Sequence, residues 1–157
     1  KVLLAIGRRG TPRKLQVPGE EKEKVAYRLL EPELITGQQI LIVGGGDSAI
    51  ENALLLAEQN EVTLSYRSPQ FNRLKPKNAE RIQHAIEQNT IRMEFNSQVL
   101  SINDQDVQLT NEAGEFNIPN DLVYIFAGGE LPTQFLQKSG IEITKRFGYT
   151  LKSKKNP

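Results

Sequence analysis

The run from Gln39 to Glu51 constrains this chain more than any other segment. Gln39 to Val43 reads as a buried strand, Gly44, Gly45 and Gly46 force a turn, and Asp47 opens a helix at once. A strand that feeds a helix so directly is the first half of a crossover, and crossovers join parallel strands. The spacing of Gly44, Gly46 and Ala49 is Gly-x-Gly-x-x-Ala, the pattern of a dinucleotide-binding turn in this context. Gly44 lets the chain leave the strand sharply, Gly46 removes a side chain where a pyrophosphate must approach the backbone, and Ala49 lets helix and strand pack closely. Unpaired N–H groups and the positive end of the helix dipole then face the phosphates along Gly44 to Ser48. The same glycines would also suit a tight turn that binds nothing, and that alternative stays open at this point.

The following segments alternate. The pattern predicts a helix from Asp47 to Gln59, a strand from Val62 to Tyr66, a basic loop, a helix from Asn78 to Gln88 and a strand from Ile91 to Phe95. Short alternating runs at Gln98 to Asn103, Val107 to Thr110 and Glu115 to Ile118, separated by turn residues, predict a three-stranded antiparallel β-meander. Leu122 to Phe126 is a last apolar strand, expected to rejoin the parallel sheet. The fold class is therefore α/β, a Rossmann-like domain with a parallel sheet, helical crossovers and a meander. Residues 38–135 are expected to form this domain. Residues 1–37 read as a crossing strand, Val2 to Gly7, and a Pro- and charge-rich linker with a short helix from about Lys22 to Leu30. Residues 136–157 are expected to form a C-terminal segment with a flexible basic tail. The opening without methionine, already inside a strand pattern, suggests an excerpt of a longer protein.

Composition narrows the function classes. The 157 residues are 38% hydrophobic and 25% charged, ordinary for one α/β domain. Twenty basic against 19 acidic residues leave a net charge of +1, so no bulk field recruits nucleic acid. No apolar stretch approaches the roughly 20 residues of a membrane span, and the expected compartment is the cytoplasm. Neither nucleic acid nor membrane is an expected partner. The absence of cysteine excludes disulfides, thiolate metal sites and dithiol chemistry by this chain. The lone His84, on a helix with no obvious acid or nucleophile beside it, reads as a surface residue. No catalytic residue and no metal site is expected.

The tip of the second strand bears on the cofactor. NAD sites place an acid about 20 residues after the first glycine, where it accepts the ribose hydroxyls, whereas NADP sites offer arginine to the 2′-phosphate. Here the strand ends in Tyr66, Arg67 and Ser68, and Arg73, Lys75 and Lys77 follow before the next acid, Glu80. NADP(H) is the expected cofactor, with Arg67 on the phosphate, Arg73 assisting and Tyr66 or Arg67 beside the adenine. NAD(H) stays open.

Several segments together resemble the NAD(P)H-binding domain of thioredoxin-reductase-like pyridine nucleotide-disulfide oxidoreductases, flavoproteins with two dinucleotide domains. They are Val2 to Gly7 with Val17-Pro18-Gly19, the turn Gly44 to Glu51, the loop Tyr66 to Arg73, and Asp121 to Pro132 with Gly128. The resemblance implies that Glu51 lies near the nicotinamide carboxamide; read from the residues alone it is an acid favoured by the helix dipole. It further implies an FAD-binding domain of the same polypeptide, outside these residues, as the partner that receives hydride from the nicotinamide; a redox partner stays unknown and a homodimer stays open. The Cys-x-x-Cys pair of thioredoxin reductases is replaced by Ala26 to Leu30, Ile6 stands for the usual threonine of the crossing strand, and Ser68 for a second arginine. Two other readings remain: a domain of a flavin monooxygenase-like enzyme, and a non-catalytic dinucleotide-sensing module.

Overall fold

The computed structural model describes residues 11–129 and 133–142. The expected strand Val2 to Gly7, the basic tail, and Glu130 to Pro132 lie outside them. The described chain runs β1 (Val25–Ala26), a 3-10 turn (Pro32–Leu34), β2 (Gln39–Val43), α1 (Asp47–Leu56), β3 (Glu61–Ser65), α2 (Pro76–Glu87), β4 (Ile91–Glu94), β5 (Gln98–Ile102), β6 (Asp106–Asn111), β7 (Gly114–Pro119), β8 (Leu122–Ile125) and α3 (Thr133–Lys138).

Five strands form one parallel sheet in the order β1-β8-β2-β3-β4, and β5-β6-β7 form a separate antiparallel sheet. The α/β expectation, with crossover helices and a meander, describes this architecture. Three layers result, and the period of two along each strand explains them. Ile40 and Ile42 of β2 turn to one face and pack with Ala49, Ile50, Ala53 and Leu56 of α1 and Ile82 and Ala85 of α2. Leu41, between them, turns to the other face and packs with Val123 and Ile125 of β8 and with Val99, Ile102, Val107, Leu109 and Ile118 of the meander. A central strand buried on both faces must be apolar throughout, which is why β2 does not alternate.

One sequence expectation is overturned. Lys22 to Leu30 is no helix: Val25 and Ala26 pair with Val123 and Tyr124 of β8, extending the parallel sheet. Val25 and Tyr27 pack into the meander-side core while Ala26, between them, packs into the helix-side core, the two-residue alternation of an extended segment. A nine-residue helix is marginal alone, whereas the open edge of β8 offers backbone partners that only an extended chain can use. Glu20 folds this linker locally, its carboxylate accepting from the amides of Leu15 and Gln16, both at 2.7 Å, and from the Tyr27 hydroxyl at 2.6 Å.

Two helix boundaries also move. α1 ends at Leu56 rather than Gln59, where the Asn60 side chain donates to the Leu56 carbonyl at 2.9 Å. α2 begins at Pro76 rather than Asn78. Proline suits the first helical position because the N–H it lacks would have had no partner there. Among the described residues no helix is long and apolar enough to cross a membrane.

Candidate functional site

β2 is the strand at which the sheet order reverses: the chain moves from β2 outward to β3 and β4, then returns to place β8 on the other side. Ligand crevices of open α/β sheets lie at the carboxyl ends of the strands flanking such a switch. Val43 is in register with Ser65 of β3 and Ile125 of β8, so the glycine turn, Tyr66 with Arg67, and Phe126 to Gly128 leave the sheet at one edge. Gly44 donates to the Ser65 carbonyl at 3.0 Å and Phe126 donates to the Val43 carbonyl at 2.8 Å, locking the three strand ends together.

The three glycines of the turn have different reasons to be glycine. Gly44 has φ +148°, and a Cβ there would stand 2.6 Å from the Phe126 carbonyl oxygen and 3.1 Å from the Ala49 Cβ. A Cβ at Gly45 would collide with the Tyr66 ring. Gly46 is different in kind. Its backbone is extended, at φ −100° and ψ 172°, a conformation open to any residue, and a Cβ would meet nothing within 4 Å. Among the described residues no steric contact requires glycine at the residue that caps α1, where Asp47, Ser48 and Ala49 present the amides of the first turn.

The side of the site formed after β3 begins with an aromatic group. Tyr66 lies against Gly45 and stacks on Phe71 at 5.7 Å between ring centroids, and Phe71 meets Phe95 edge-on at 5.1 Å. Tyr66 thus braces the glycine turn from the β3 side. Arg67 and Arg73 are exposed on the same loop, and among the described residues neither has an ion pair or hydrogen-bond partner. The nearest acid in register with the end of β3, Glu94, pairs with Arg92 at 2.7 Å.

Asp47 and Glu51 both reach across to the start of α2. The Asp47 Oδ1 accepts from the Lys75 amide at 3.0 Å and from the Asn78 side chain at 2.7 Å, and the same Asn78 amide donates to Glu51 Oε1 at 2.8 Å. Lys75 Nζ stands 3.8 Å from Glu51 Oε1. The Lys75 amide first, and the Asn78 side chain second, hold the Asp47 carboxyl below its ordinary range. Lys75 precedes α2 without a side-chain cap of its own, so Asp47 serves as that cap from another helix, at the positive end of the α2 dipole. Asn78, 5% exposed, was expected only as the first residue of its helix. The signal that could have revealed more was Pro76, which marks the first helical position and moves Asn78 one turn inward.

At the far side, Gly128 takes φ +89° and its carbonyl accepts from the Arg13 amide at 3.0 Å, while Pro12 and Gly129 form an antiparallel bridge. The linker therefore runs along the end of β8, a contact sequence reasoning did not foresee. His84 is exposed on α2. Among the described residues no group of three or more His, Asp or Glu could hold a metal ion. The edge brings together the first-turn amides of α1, an aromatic brace on the glycine turn and two guanidinium groups that have no partner among the described residues.

Known proteins resemble this chain in sequence and fold. The chain is 32% identical over 160 residues to a ferredoxin–NADP reductase of Ignicoccus hospitalis, covering 98% of the chain and 48% of that protein. It is 31% identical over 149 residues to the bacilliredoxin reductase Bdr of Bacillus subtilis, covering 93% and 46%. Among solved structures, a bacillithiol disulfide reductase from Bacillus cereus superposes with a TM-score of 0.81 at 28% identity, covering 86% of this chain and 42% of that one. A Lactococcus lactis thioredoxin reductase superposes with a TM-score of 0.73 at 28% identity, over 85% and 46%. The chain thus spans about half the length of the curated relatives it matches. The family profile described as pyridine nucleotide-disulphide oxidoreductase matches residues 1–155, and the chain belongs to that family.

Proposed function

We propose that this chain is the NAD(P)H-binding part of a cytoplasmic flavin-dependent oxidoreductase, preferring NADPH, with FAD held by the remaining half of the length its relatives have. The observation that carries the reading is Gly46. A glycine with an ordinary extended backbone and open space on its Cβ side meets no steric demand of the described residues for a missing side chain, whereas a pyrophosphate lying on the α1 amides would supply one.

The nicotinamide, when bound, supplies a hydride to the flavin. The residues of this chain bind and orient. The turn from Gly44 to Ser48 would take the pyrophosphate through the backbone amides beyond Gly44, whose own N–H donates to the Ser65 carbonyl and, with the β2, β3 and β8 ends, fixes where that turn sits. Arg67, assisted by Arg73, would take the 2′-phosphate in charge-assisted hydrogen bonds that a bare ribose cannot make. Glu51, one turn into α1, is the residue the resemblance assigns to the carboxamide end. No proton transfer at a side chain of this domain is needed, so its contribution is positional.

The test is a calorimetric titration of the chain with NADPH and NADH. Wild type is expected to bind NADPH more tightly. Gly46→Val is expected to abolish binding of both nucleotides while the variant unfolds cooperatively, its stability lowered by about 1 kcal/mol because valine is a poorer helix N-cap than glycine although no contact is strained. Unchanged affinity in the folded variant, or stoichiometric FAD on the purified chain, would overturn the proposal.

A further inference from the structure

An acid at the first position of a phosphate-binding helix is an electrostatic conflict, and this chain has Asp47 there, with Glu51 one turn behind. The side chain that resolves it is Asn78. Its amide is buried, and it donates at 2.7 Å to Asp47 and at 2.8 Å to Glu51, drawing both carboxylates toward the start of α2. The Lys75 amide holds the same Asp47 oxygen at 3.0 Å. A side-chain amide with two N–H groups fits two acceptors; an aspartate in its place could donate to neither.

Resting on the nucleotide-binding reading above, we propose that Asn78 is a positioning residue for the anion site: it parks the Asp47 and Glu51 carboxylates on α2, so that the turn at Gly46 meets the pyrophosphate as a positive surface. Asn78 itself touches no ligand. Its effect is carried by the carboxylate it restrains, and the affected group of the ligand is the one NADPH and NADH share. Loss of the restraint therefore weakens both nucleotides by the same factor, unlike loss of Arg67, which separates them.

The experiment titrates wild type, Asn78→Ala, Asp47→Asn and the double variant with NADPH and NADH at low and high salt. Asn78→Ala is expected to weaken both nucleotides by about three- to tenfold, the scale of one like charge freed beside a phosphate in partly aqueous surroundings. The deficit should shrink at high salt, as a screened repulsion does. Asp47→Asn keeps an acceptor for Lys75 and removes the charge, so it should bind at least as tightly as wild type, and in the double variant it should recover most of the lost affinity. A structural role for Asn78 would show no such rescue and little salt dependence. Wild type that binds neither nucleotide removes the function reading itself. Wild type that binds normally, with Asn78→Ala unchanged or unrescued, overturns only the role of Asn78. If Asn78→Ala fails to fold, Asp47→Asn still decides, because weaker binding than wild type would mean that the Asp47 charge helps the site.

Discussion

The glycine turn and the basic loop leave the same edge of the sheet, but the turn is held by its neighbours while the arginines of the loop have no partner among the described residues. Gly44 is pinned between the Ser65 carbonyl, the Phe126 carbonyl and Ala49, and Gly45 lies under the Tyr66 ring. Arg67 and Arg73 stand exposed without partners among the described residues. The turn has a folding role that would persist without any ligand, so its sequence alone is weak testimony to binding. The loop has no such role, and unpaired guanidinium groups at a strand end gain most from an anion brought from outside. Within the turn, Gly46 belongs with the loop: it is the one glycine of the three that the fold leaves free.

That contrast breaks most sharply at Gly44. Gly44→Val should destabilise the chain by about 3 kcal/mol or more, since φ +148° is strained for any side chain and the Cβ would press on the backbone of Phe126. Urea melts measure it, and a loss below about 1 kcal/mol would show that the turn is not held as described. Next in size is Arg67→Ala, expected to leave the melt unchanged and weaken NADPH by about 1.5 to 3 kcal/mol while NADH changes little. Equal loss of both nucleotides, or none, would return Arg67 to an ordinary surface residue.

A smaller effect sharpens the distinction inside the turn. Gly46→Ala should lower stability by about 0.5 to 1 kcal/mol, the loss of a favoured N-cap residue, where Gly44→Ala, at a strained φ and against the Phe126 backbone, costs more than twice that. Smallest is the titration of the tie between the two regions. The Asp47 carboxyl is held down by the Lys75 amide and the Asn78 side chain, so its folded pKa lies below its unfolded one. Its contribution is therefore present above the unfolded value, near 3.8, and lost as pH falls through the folded value. The amide resonance of Lys75 should follow that titration, with a midpoint below the ordinary aspartate range. A midpoint at or above it would mean that Asp47 does not cap α2 in solution.

The strand, turn and helix from Gln39 to Leu56 could be read directly, because apolar runs, three adjacent glycines and helical spacing are local signals. The meander was legible for the same reason, since short alternating runs and polar turns are local signals, although the shift in β5–β6 pairing between Val99 and Ser101 was not. Lys22 to Leu30 was not, since its apolar residues fit a helix equally well and only the free edge of β8 selected the extended form. The position of every proposed site residue along the chain was thus available from the sequence, including Arg67 at a strand tip without an acid. What each of them touches was not. That Tyr66 covers Gly45, that Phe126 crowds Gly44, and that Asp47 and Glu51 lean on Asn78 are relations between distant segments of the chain. Local propensity acts along the chain and can specify an element. The direction of a side chain at the junction of several elements is decided by which neighbours crowd it or accept its hydrogen bonds, and those exist only once the sheet has been assembled.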